Sequence, residues 1–153
     1  MKYKLAIING SNMNILGLRE PKIYGTKKWE DIWHKLSKIS DQMEIELIYY
    51  QSNHEGDLVD FLQMNLEEIA GVVINPAAFT KTGYSILDTL TARPIPFVEV
   101  HMSNIVARGG WHSESIFTNQ AVGLIIGFGD YVYELGLEAL YHTIIQPFTD
   151  DKS

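Results

Sequence analysis

Four polar clusters carry the residue types that proton transfer needs. The first, NGSNMNILGLREPKIYG at residues 9–25, brings Arg19 and Tyr24 into one Gly- and Asn-rich loop directly after an apolar run. A phenol has a pKa of about 10, so only about one part in a thousand is ionised at neutral pH, and each unit of lowering takes ~1.4 kcal/mol of differential stabilisation. A neighbouring guanidinium is permanently charged and can supply it, which makes Tyr24 a candidate base. The plain alternative is a surface loop with an incidental Arg and a packed aromatic.

EVHMSN at residues 99–104 is more pointed. Glu99 and His101 are two apart, so on a strand both side chains project from one face. A carboxylate beside an imidazole fixes its tautomer and favours the protonated form, the arrangement wanted in a general acid. The amides and hydroxyl of Met102, Ser103 and Asn104 follow at once and suit a carboxylate ligand. The competing reading is an ion pair at a strand edge with no substrate. QSNHEGD at residues 51–57 offers His54 beside Glu55, a weak metal signature, since ligand sets show tighter spacing. There, Glu55 and Asp57 can equally cap a helix starting near Asp57, with Gly56 relieving the turn. INPAAFTKTG at residues 74–83 places Asn75 at a strand end. Tyr131, Tyr133 and Tyr141 fit packing and interface surface better than a cofactor site, and no GxGxxG or Walker-type loop supports nucleotide binding.

These clusters need a frame. Short apolar runs at 4–8, 45–50, 70–74, 96–100 and 121–127 predict five strands, several apolar on successive residues, as in parallel strands buried on both faces. Between and after them, apolar residues at helical spacing predict helices at 29–43, 57–65, 84–92 and 131–144. The alternation implies an α/β fold, a doubly wound, flavodoxin-like five-stranded parallel sheet in one domain over residues 1–146, with a frayed tail at 147–153. In such sheets ligands bind beyond the carboxyl ends of the strands. All four clusters fall there, on one rim.

Composition sets the outer bounds. With 153 residues the chain can bury a sizeable single core, and 46% apolar against 20% charged residues is ordinary for a soluble globular protein. A net charge of −7 argues against a general nucleic-acid binder. The absence of Cys excludes disulfides, thiolate zinc sites and thiol nucleophiles. The apolar start is too short for a signal peptide and no run approaches a membrane span, so a cytoplasmic protein is expected.

Together, NGSNMNILGLREPKIYG, QSNHEGDLVD, INPAAFTKTG and PFVEVHMSNIVAR, in this order and spacing, resemble the type II 3-dehydroquinate dehydratases over roughly residues 4–140. The resemblance implies a flavodoxin-like fold, trimers packed into dodecamers, and no metal or cofactor. It implies anti elimination of water from a carboxylated cyclic hydroxy ketone through an enolate. By the same resemblance Tyr24 would be the base and Arg19 would lower its pKa and close with it. Asn12 would hold a water at the enolate oxygen, and His101, paired with Glu99, would protonate the departing hydroxyl. Asn75 and the amides of Met102 and Ser103 would hold the substrate carboxylate, while Asp88 would reach a neighbouring subunit's site.

The chain departs from the family pattern in one region. Lys81 stands where the family has His, and His112 where it has Arg, the two residues that would hold the ring hydroxyls. Gly109 and Gly110 replace an acidic pair, Val106 a His, Ala77 a Gly, Gly83 a Ser and Ser11 a Pro. Either Lys81 and His112 still donate to the diol, or the substrate differs at that end. A non-catalytic oligomeric scaffold is the reading from another class. Retention of Arg19, Tyr24, Asn75, Glu99 and His101 together speaks against it.

Overall fold

The computed structural model describes residues 2–18, 22 and 27–145; Arg19, Tyr24 and the tail at 146–153 lie outside the described residues. Five strands, β1 (Lys4–Asn9), β2 (Glu46–Gln51), β3 (Ile69–Asn75), β4 (Phe97–His101) and β5 (Gly123–Ile126), form one sheet. It is parallel throughout, in the order β2-β1-β3-β4-β5. This is the flavodoxin-like order, with its switch point between β1 and β3. The helices are α1 (Trp29–Gln42), α2 (Glu55–Met64), α3 (Tyr84–Ala92), the short α4 (Ile105–Arg108) and α5 (Tyr131–Ile144). Among the described residues, no helix is long and apolar enough to cross a membrane.

The successive apolar residues of β1 serve two cores. Leu5 and Ile7 face α1 and α5, packing with Leu36, Val73, Val98, Val100 and Leu137. Ala6 and Ile8 face α2 and α3, packing with Leu58, Leu62, Ile74, Ile86 and Leu90. Side chains alternate along a strand, so a run apolar at every position is one buried on both sides.

Strand and helix limits follow the sequence closely, with two corrections. Helix α2 begins at Glu55 rather than Asp57, and neither Glu55 nor Asp57 caps it. Instead the Ser52 hydroxyl accepts the His54 N–H at 2.9 Å and donates to Asp57 at 2.7 Å, organising the turn one step earlier. Strand β5 is shorter than the expected 121–127. The Ala121 N–H turns back to the Phe117 carbonyl, and Gly127, at φ 81, donates to the carbonyls of His101 and Ser103.

Candidate active site

Register places the functional side chains. Asn9 lies level with Gln51 on β2 and with Asn75 on β3, and Ile74 is level with Glu99 on β4. Asn9 and Asn75 therefore point to the α5 face, whereas Glu99 and His101 share the opposite face with Ile8 and Ile74. Two polar networks, one on each side of the sheet, meet at its carboxyl edge.

On the second face, Glu99 is fully buried and His101 is 5% exposed. His101 Nε2 lies 2.6 Å from Glu99 Oε2, the Ser115 hydroxyl donates to the same oxygen at 2.7 Å, and the Thr118 hydroxyl donates to Oε1 at 2.6 Å. An ionised carboxylate only accepts, so His101 donates through Nε2 and Nδ1 remains the nitrogen that can take or give a proton. Burial alone would push the Glu99 carboxyl up, but hydrogen bonds from His101, Thr118 and Ser115, with the His101 charge, outweigh it and hold the pKa below its ordinary value. A depressed carboxylate pKa contributes stability that is present above the unfolded value of about 4.3 and is lost as pH falls through the folded value. Thr118→Val and Ser115→Ala each remove a donor to the charged form and so raise that folded pKa. Their acid-unfolding midpoints, followed by circular dichroism, are expected to move to higher pH. An unmoved midpoint in the double variant would mean the hydroxyls do not hold the charge.

The first face is built by backbone approach. The Gly10 N–H donates to the Asn75 carbonyl at 2.8 Å, and a Cβ on Gly10 would fall 2.1 Å from the Pro76 carbonyl oxygen, so only glycine lets the two loops meet. Asn12 stands at φ 70, its N–H held by Asn53 Oδ1 at 2.9 Å. Ala77, in place of the family's Gly, sits at φ 52, a left-handed conformation that costs an L-residue of the order of 1–2 kcal/mol.

Between the faces lies a small cleft of about 70 Å³, partly open to solvent, onto which Asn12, Asn75, His101, Met102, Ser103 and His112 all open. Its outer wall is turned inward by Gly109 at φ 68, ψ −171, a glycine conformation that sends the chain from α4 into a 3-10 turn carrying Trp111 and His112. The His112 ring lies against Trp111, centroids 3.7 Å apart, and its Nε2 is 3.4 Å from the Arg108 guanidinium, which also reaches the Ser103 hydroxyl at 3.3 Å.

Other expected residues sit elsewhere. Lys81 is not in the cleft wall; its ammonium is 2.7 Å from Glu114, with both side chains half or more exposed. Asp88 lies on the outer face of α3, in a separate depression with Tyr84, Ser85 and Gln120. His54 precedes α2 and does not line the cleft, and among the described residues no three His, Asp or Glu side chains gather as a metal site. Tyr133, read from sequence as packing, is fully buried and bonds to both Asn9 and Asn75. Ser115 and Thr118 were also missed. Their only signal was a pair of hydroxyl residues shortly before the last strand.

A family model described as Dehydroquinase class II matches residues 3–141. The chain belongs to the class II dehydroquinase family. It is 47% identical over 136 residues to a 3-dehydroquinate dehydratase of Prochlorococcus marinus, covering 89% of this chain and 92% of that relative. It is 43% identical over 138 residues to a catabolic 3-dehydroquinase of Aspergillus clavatus, covering 90% and 92%. Its fold superposes on the crystal structure of a type II dehydroquinase from Butyrivibrio crossotus with a TM-score of 0.87 at 35% identity, covering 91% of this chain and 97% of that one. The cleft lies at the carboxyl edge of the sheet, where Asn12, Asn75 and His101 from three of the sequence motifs open.

Proposed function

We propose that this chain is a 3-dehydroquinate dehydratase that forms 3-dehydroshikimate by anti elimination through an enolate. The observation that carries the reading is the buried Glu99–His101 pair at 2.6 Å, opening on the same cleft as Asn12 and Asn75 in a chain of this family. The substrate's ketone acidifies the adjacent proton, so a phenolate, Tyr24 lowered by Arg19, is base enough without a metal. Hydroxide is a poor leaving group and needs an acid on the opposite side, the role of His101 with Glu99 as its partner. Asn12 holds the water that stabilises the enolate oxygen, where preorganised dipoles act most strongly. Asn75 and the amides of Met102 and Ser103 take the carboxylate. Asp88 serves the site of a neighbouring subunit in a trimer or dodecamer, an assembly to which the exposed Val122, Leu124, Phe128 and Tyr131 offer apolar surface.

One observation favours a second reading, a related ring acid altered at the diol end. The Lys81 ammonium is engaged by Glu114 outside the cleft, which leaves His112, beside Arg108 and Trp111, at that end. Steady-state turnover of 3-dehydroquinate, followed by the absorbance of the conjugated enone with chelator present, decides between them. Chelator-insensitive turnover is expected. A correctly folded protein without turnover would sink the first reading. In that event, turnover restored by Lys81→His with His112→Arg would establish the second.

A further inference from the structure

The Asn75 amide has two flipped orientations, and only one offers the cleft a donor. Its Nδ2 lies 3.0 Å from the Tyr133 oxygen and 3.8 Å from Met13 Sδ, while Oδ1 accepts the Ala77 N–H at 3.2 Å. A phenol has one proton. Tyr133 gives it to Asn9 Oδ1 at 2.7 Å, so toward Asn75 it can only accept. Asn9 is itself oriented, its Nδ2 facing the Tyr49 oxygen at 3.4 Å. Burial pushes the Tyr133 phenol well up, and that of Tyr49 up to about 12, so both stay protonated. Flipping Asn75 would set nitrogen against the Ala77 N–H and oxygen against the Tyr133 oxygen, two mismatches around buried side chains.

We propose that Tyr133, held by Asn9, is a positioning residue that fixes the Asn75 amide so that its second N–H faces the cleft and selects a ring carboxylate over an uncharged group at that end. That second N–H is turned to Met13 Sδ at 3.8 Å, a weak acceptor that also lines the cleft, so a carboxylate bound there can take it over. The inference rests on the proposed function only in taking the cleft as the place where a ring acid binds. Tyr133 comes from α5 and touches no cleft-lining atom but Asn75 among its hydrogen bonds, so it acts through that residue.

Tyr133→Phe keeps the ring, with its edge contact to Trp29 at 4.9 Å, and removes the hydroxyl. The probes are quinate, a ring carboxylate, and its neutral methyl ester, with affinities measured by calorimetry. Wild type is expected to prefer quinate, and Tyr133→Phe to lose about tenfold in quinate affinity with ester affinity unchanged, a charge-assisted hydrogen bond being at stake. KM for 3-dehydroquinate should rise by more than kcat falls. Equal weakening of both probes, or none, would overturn the proposal. Should the variant not fold, the Asn75 side-chain amide protons of wild type decide by NMR: slow solvent exchange supports the relay and free exchange refutes it. Turnover without discrimination between the probes would leave the proposed activity standing and remove this role. Discrimination lost in Tyr133→Phe, without turnover in either protein, would do the reverse.

Discussion

His101→Ala is expected to lower kcat on 3-dehydroquinate by ~10²- to 10⁴-fold, the range that a positioned general acid supplies. The same change should cost stability. Breaking a buried ion pair typically costs about 3–5 kcal/mol because the remaining charge is left buried. Here Ser115 and Thr118 still donate to Glu99, which lies fully buried, so a loss at or below the lower end of that range is expected. Glu99→Gln keeps the shape and removes the charge. It should retain more activity than His101→Ala, because the imidazole remains in place and loses only the carboxylate that Nε2 faces at 2.6 Å. Turnover and thermal unfolding measured on the same preparations separate chemistry from folding. A folded His101→Ala protein within tenfold of wild type would remove His101 from the acid role.

What could be read from the sequence follows how local each cause was. Strands β1 and β3 announce themselves because parallel strands buried on both faces are apolar at every step, and Glu99 and His101 because a spacing of two has one meaning on a strand. The partners of those residues were not legible. Ser115 and Thr118 reach Glu99 across 16 and 19 positions, from a connection with no periodicity of its own. Tyr133 looked like one more apolar ring on α5. Its hydroxyl matters only because β1 and β3 pair in a register that sets Asn9 beside Asn75 beneath that helix. The start of α2 lies earlier than its periodicity suggests because Ser52, outside the helix, ties the His54 N–H to Asp57 and so sets the turn before Glu55. Motif position alone points Lys81 toward the diol end. Its partner Glu114 is an acidic residue in a distant loop, which motif spacing does not reveal.

The base side of the reaction yields the other large effect. Tyr24→Phe removes one hydroxyl and leaves an aromatic ring in the loop, so folding and assembly should be unchanged while kcat falls by ~10²- to 10⁴-fold or more. A free phenol is almost wholly protonated at neutral pH, and a guanidinium close by lowers its pKa. The base must be deprotonated to act, so the acid limb of kcat/KM reports this group. If Arg19 lowers the phenol pKa as proposed, Arg19→Ala is expected to carry that limb to higher pH. The acid limb of a His101 variant should stay where it is, since in the proposed mechanism His101 is the acid and not the base. A Tyr24→Phe protein that still turns over within tenfold of wild type, or an Arg19→Ala profile with its acid limb unmoved, would break the link between the two residues. The base would then have to be sought among the other groups lining the cleft. Neither Asn12 nor Asn75 can serve there, because neither side chain titrates in the working range, so a positive result for Tyr24 also confines these two amides to holding water and carboxylate.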